Sequence, residues 1–182
     1  MIPLFFIFEL LKRIGFIGLA VPLLLLVWYF IPSGNTNYNL FYIDRNKDNN
    51  IIKYDIKLKE NGELNMEEPI NIYWVKNTDG GKKEGLNYAQ KKLAYGLKYV
   101  KKEDDEIKFQ FVSYGKRTFI LRKLKGKSEY NVITYLNNKT VIVNRIYIHI
   151  TGGTYFVPKI AYLQLYWKDA YSDKEGIEKV IP

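Results

Sequence analysis

The chain has no cysteine, one histidine (His149) and two methionines in 182 residues. Without cysteine there is no disulfide, no thiolate metal site, no cysteine nucleophile and no lipid attachment through an N-terminal cysteine. A single histidine removes multi-histidine metal centres and, unless His149 is itself used, most catalytic triads. Such a composition is compatible with an oxidising compartment without establishing one. Internal repeats and low-complexity tracts are missing as well.

One long uncharged run is present. Ile14 to Ile31, IGFIGLAVPLLLLVWYFI, holds 18 consecutive residues without a charge. As a helix it would cover roughly 27 Å, close to the hydrocarbon core of a bilayer. Lys12 and Arg13 precede it, and Trp28, Tyr29 and Phe30 close it like an interfacial aromatic belt. Pro22 is tolerable in a membrane helix. Ile31-Pro32-Ser33 is a poor cleavage site, so an uncleaved signal anchor is expected rather than a cleaved signal peptide. The positive-inside rule then puts residues 1–13 in the cytoplasm or along the interface, and the remainder outside the cytoplasm. Residues 32–37, PSGNTN, read as a linker.

From residue 38 to 182 the character changes to one soluble domain, and the stretch is too short for two. The chain carries 28 Lys and Arg against 19 Asp and Glu, a formal charge of +9. That excess suits an anionic partner or a merely solvated lysine-rich surface, and it speaks to association rather than fold. Ile52, Tyr54, Ile56 and Leu58 alternate with Ile51, Lys53, Asp55 and Lys57, the period of a half-solvated antiparallel strand. Similar runs begin at Tyr38, Ile70, Ile107, Phe119, Val132, Thr140 and Ile160. The last is apolar on both faces and is expected to be central or covered. Asn137-Asn138 marks a tight hairpin. Leu86, Ala89 and Leu93 fall at i, i+3 and i+7 before Gly96, which predicts one short helix closed by a C′ glycine. The expectation is a mainly β fold, an antiparallel sandwich or small barrel of about eight strands with one short helix, preceded by an N-terminal transmembrane helix.

The segments FYIDRNKDNNIIKYDI, INIYWV, KKLAYGL and GIEKVIP, with Tyr73-Trp74 and Ala94-Tyr95-Gly96, carry a resemblance to a bacterial family of domains known as DUF4833. The resemblance spans roughly Asn39 to Pro182. It implies a single exported or membrane-attached domain and brings no catalytic motif.

Candidate sites are few. Asp44, Asn46, Asp48, Asn50 and Asp55 follow calcium-loop spacing, but Asn49 stands where glycine belongs and both flanks read as strands. An Asp/Asn-rich hairpin turn explains the same residues. Asp79-Gly80-Gly81-Lys82-Lys83 leads toward a helix and could offer an anion its backbone N–H groups, without Walker spacing. Gly115-Lys116-Arg117 reads as a basic turn between strands. Sixteen tyrosines suit ligand-lined cavities, but there is no RNP-type strand and nucleic acid is not an expected partner.

The preferred reading is a membrane-anchored extracytoplasmic domain that binds rather than transforms its ligand. That ligand would be an anionic or amphiphilic molecule, a lipid, a glycan or an envelope protein. Trp74, Lys82, Lys83, Tyr95 and Arg117 are the expected binding residues, and no cofactor is required. An envelope hydrolase or transferase using His149, Asp44 or Asp79 is one alternative. A calcium-stabilised scaffold is another.

Overall fold

The computed structural model describes residues 37–103, 105–154 and 157–182. The expected anchor Ile14–Ile31 and the expected linker up to residue 36 lie outside them. Among the described residues no helix is long and apolar enough to cross a membrane.

The described residues are mainly β. In chain order they form β1 (Asn39–Arg45), β2 (Asp48–Ile56), β3 (Ile70–Lys76), a 3-10 turn at Asn77–Asp79 and β4 (Lys82–Gly85). One short helix follows, α1 (Tyr88–Leu93), then β5 (Leu97–Glu103), β6 (Glu106–Phe111) and β7 (Tyr114–Lys123). The chain ends with β8 (Tyr130–Leu136), β9 (Lys139–Gly153), β10 (Pro158–Asp169) and β11 (Glu175–Val180). Eleven strands replace the expected eight or so: β4, β5 and β11 are the additions. All three are sheet edges. A strand paired on one side and wetted on the other needs no continuous apolar face, and β4 is KKEG, fully exposed.

β9 organises the sheet, and it also breaks the expected antiparallel rule. Its Lys139–Ile142 half pairs antiparallel with β8, whereas Arg145–Ile148, on the same edge, pairs parallel with β1. The switch falls at Asn144, where the register with β10 slips by one residue. Such a bulge exchanges the faces of the strand. Val143 points into the core before it, and Ile146, Ile148 and Ile150 point inward after it.

Two arms therefore leave one edge of β9, β1-β2-β3-β4 and β8-β7-β6-β5, while β10 and β11 extend the other edge. The sheet curls until the arms face each other. Phe41 and Tyr54 stack at 4.3 Å on the first arm and meet Phe111 edge-on from the second, at 6.1 and 5.8 Å. Phe119 continues the contact against Phe111 and Phe109. Ile120, Ile133 and Ile142, with Leu124 and Ala170, form a smaller cluster. β10 is central, between β9 and β11, as its two apolar faces suggest. Asn137 and Asn138 take positive φ, 48° and 63°, as a two-residue hairpin requires.

One buried and one half-buried tyrosine make stability alkali-sensitive. Burial, with a contribution from Tyr95, holds the Tyr54 hydroxyl well above the ordinary tyrosine range, and burial with the Glu68 carboxylate pushes Tyr99 up to about 12. Above about pH 10 the unfolded chain loses these protons and the folded chain keeps them. Stability present below pH 10 is therefore lost on the way to pH 12, by about 1.4 kcal/mol per pH unit for each such tyrosine. Denaturant titrations at stepped pH check this, and Tyr99→Phe should flatten its share of the slope.

Candidate functional site

Past the aromatic core the two arms diverge, and an apolar cavity of about 720 Å³ opens between them. This lies within the usual range for small-molecule sites. β9 contributes Ile146, Ile148 and Ile150, and β10 contributes Ile160, Leu163 and Leu165. A second slip in register between Ile160 and Tyr162 turns Ile160 to the same side as Leu163. Phe111 and Phe119 close the inner end against the core. The expected helix stripe lies here too. Leu86 is buried, but Ala89 and Leu93 line the cavity, and Leu93 is 74% exposed. The apolar stripe of α1 thus borders the cavity instead of filling the core.

α1 is built locally. The Asn87 side chain accepts from the Gln90 backbone N–H while the Gln90 side chain accepts from the Asn87 backbone, a capping box. The helix ends at Leu93, and Tyr95 N–H bonds back to the Gln90 carbonyl at 2.8 Å. Gly96 was expected as a left-handed C′ residue, but its φ is not positive. It is required for a different reason: a Cβ there would lie 1.8 Å from the Lys91 carbonyl oxygen.

Charge gathers at two places on the wall. At the β1–β2 hairpin, Arg45 donates through Nη1 to the Tyr95 hydroxyl at 2.8 Å and through Nη2 to Asp48 at 2.6 Å. Its guanidinium lies 5.0 Å from the Trp74 ring, which meets Tyr95 edge-on at 5.6 Å. Arg45 Nε is buried with no hydrogen-bond partner among the described residues. On β7, Arg117 makes a two-pronged bond to Glu178 of β11, at 2.5 and 2.8 Å. Lys47 lines the mouth beside Arg45.

Three of the five expected binding residues, Trp74, Tyr95 and Arg117, thus line one cavity. Lys82 and Lys83 stand elsewhere, on edge strand β4 opposite Lys76 and Val75, with Lys83 over the Tyr73 ring. Asp79-Gly80-Gly81 leads into β4 and not into a helix, so no helix N-terminus completes an anion loop there. Gly115-Lys116-Arg117 lies within β7, the turn being at Val112 and Ser113.

The calcium-spaced residues each have a separate hydrogen-bond partner. Asp44 takes two hydrogen bonds from Arg145, at 2.9 and 2.6 Å, which hold the guanidinium pKa above its ordinary value. Asn46 is tied to the Ile150 backbone, Asp48 to Arg45, Asn50 to Thr78, and Asp55 to Tyr73 and Asn39. Among the described residues no group of three or more His, Asp or Glu side chains is placed to hold a metal. His149 stacks on Tyr162 at 4.6 Å, beside Tyr147 on the opposite face of β9 from the cavity isoleucines. Asp79 is exposed. None of His149, Asp44 and Asp79 lines this cavity.

Arg45, Glu178 and the isoleucine wall were not singled out from sequence. The run Ile146, Ile148 and Ile150 was visible as one face, but nothing local distinguishes a core face from a cavity wall.

Comparison with curated proteins and with solved structures finds no match. The family model described as a domain of unknown function (DUF4833) matches residues 41–179. That stretch carries every cavity-lining residue named above, and the chain belongs to the DUF4833 family.

Proposed function

We propose that the protein is a membrane-anchored, extracytoplasmic binding domain that holds an amphiphilic small molecule in the cavity between the arms. One observation carries this reading: the inner lining is apolar over strands β6, β7, β9 and β10 and the helix, and the charged side chains are confined to the hairpin mouth and the β7 wall. Apolar walls with a few placed polar groups describe a ligand site that recognises a chain and a head separately. A glycan would leave its hydroxyls unpaired against isoleucine and leucine, at a cost for each buried polar group. A protein partner would need a broad surface, whereas this site is concave. The anchor rests on the uncharged run Ile14–Ile31, and the outward orientation rests on Lys12 and Arg13.

The test is extraction. Full-length protein purified in nanodiscs is denatured in organic solvent and its released small molecules are identified by mass spectrometry. Ile148→Trp serves as the comparison, because an indole at Ile148 projects into the cavity while the bilayer around the anchor stays the same. A compound recovered in roughly molar amount from the wild type and lost from Ile148→Trp is the expected result. Identical extracts from both proteins would sink the reading.

A further inference from the structure

The wall of the cavity has a window. Among the described residues, β7 pairs with β8 only from Ile120 to Lys123, and β11 pairs only with β10. No backbone ladder joins the Tyr114–Phe119 half of β7 to β11. Two long side chains cross that gap, Arg117 from β7 and Glu178 from β11, and they meet as a fork on a carboxylate. Both are partly exposed, at 19% and 32% of the side chain.

We propose that the ligand is an anionic amphiphile whose carboxylate or phosphate takes the place of Glu178 on Arg117, with its alkyl chain running along the isoleucine wall. This inference rests on the cavity being a binding site and adds the chemical class of what it takes.

The physical case is an exchange. A guanidinium presents two parallel donors that fit a carboxylate or phosphate in the same way they fit Glu178. Replacing one carboxylate by another on Arg117 leaves its hydrogen bonds unchanged, and Glu178, already a third exposed, turns to water with its charge intact. What remains is the burial of the alkyl chain against Ile148, Leu163 and Leu165, which is favourable. A neutral head forfeits the fork and cannot compete with Glu178 for it. A small free anion gains nothing from the wall and loses the same competition.

Arg45, the other arginine on the wall, is a poorer partner for a headgroup. Asp48, the Tyr95 hydroxyl and the Trp74 face already hold it in place, and its counter-ion sits three residues away on the same hairpin. Glu178 is held differently. It stands on an edge strand, β11, whose one neighbour among the described residues is β10. Of the two pairs, the one across the window can separate without unmaking a turn.

The experiment uses full-length protein in phosphatidylcholine nanodiscs and two photoreactive probes, a palmitate and a hexadecanol, each with a diazirine in its alkyl chain. Labelled peptides are mapped by mass spectrometry. The palmitate probe should label peptides from β9 and β10, and unlabelled palmitate or hexadecyl phosphate should compete it away. Acetate and inorganic phosphate at the same concentration should not. Glu178→Gln leaves Arg117 in place without its competitor and should raise palmitate labelling roughly tenfold, the scale of one charge-assisted hydrogen bond. Arg117→Gln should lower palmitate labelling to the level of the hexadecanol probe and leave the latter unchanged.

The outcomes separate. If the cavity is labelled but neither Arg117→Gln nor Glu178→Gln alters the preference for palmitate over hexadecanol, the headgroup assignment is overturned and the cavity reading stands. Should Arg117→Gln fail to fold, the Glu178→Gln comparison decides alone. Competition by acetate or inorganic phosphate makes Arg117 a free-anion site and overturns the amphiphile. If neither probe labels β9 or β10, because another segment of the chain or a second copy fills the space, the cavity reading itself falls.

Discussion

Tyr54→Ala is expected to cost about 3–5 kcal/mol, the range for removing a large buried aromatic from a packed core. That is a large share of the total stability of an ordinary domain. Tyr54 is 0% exposed, stacks on Phe41 and receives the edge of Phe111, so with Phe41 it is a point at which the two arms of the sheet touch. Its hydroxyl donates to the Tyr95 carbonyl at 2.8 Å and thereby fixes the segment after α1 as well. Removing the ring takes away the packing and opens a void between arms that have no backbone ladder to each other here. Tyr54→Phe keeps the ring and loses one hydrogen bond, for about 1 kcal/mol. Denaturant unfolding of the two variants divides packing from hydrogen bonding. If Tyr54→Phe proved as damaging as Tyr54→Ala, the hydrogen bond and not the aromatic stack would be holding the arms together.

Gly96→Ala is the second large effect, about 2–4 kcal/mol, and its cause is backbone rather than core. A Cβ would sit 1.8 Å from the Lys91 carbonyl oxygen and 2.8 Å from its carbon, so α1 and the strand behind it must separate. Tyr95 moves with them, and its hydroxyl leaves Arg45. The expected readouts are a lower melting temperature and faster tryptic cleavage after Lys91 and Lys92. Gly85→Ala is the control, since a Cβ at Gly85 meets nothing within 4 Å. Unchanged proteolysis in Gly96→Ala would show that the helix can shift at little cost. Because Tyr54 and Gly96 both position Tyr95, their effects in combination should not add.

The cavity and its two charge sites explain why the sequence pointed to some binding residues and missed others. Trp74, Tyr95 and Arg117 stood out by type, an aromatic or a cation beside a turn, and the fold gathers them. Lys82 and Lys83 stood out for the same reason. Their position on an exposed edge gives them another use, since edge lysines discourage pairing with a further strand. Glu178 gave no signal at all, because its role depends on Arg117, 61 residues away.

By itself the sequence determined that the domain is mainly β with one short helix, where the Asn137-Asn138 hairpin turns, and which side of β2 faces away from water. These are local matters: alternation and turn chemistry act between neighbours along the chain. It did not determine the parallel β1–β9 pair, the face exchange at Asn144, or the three edge strands. Those depend on a partner roughly a hundred residues away, on a one-residue slip that leaves composition untouched, or on strands too wet to show a pattern. The division of apolar residues into core and cavity wall belongs to the same class. Ile52 and Ile148 obey one alternation rule, yet Ile52 is packed and Ile148 borders open space. Periodicity records which side of a strand avoids water. Whether anything meets that side is set by the separation of two arms whose distance no local stretch of sequence encodes.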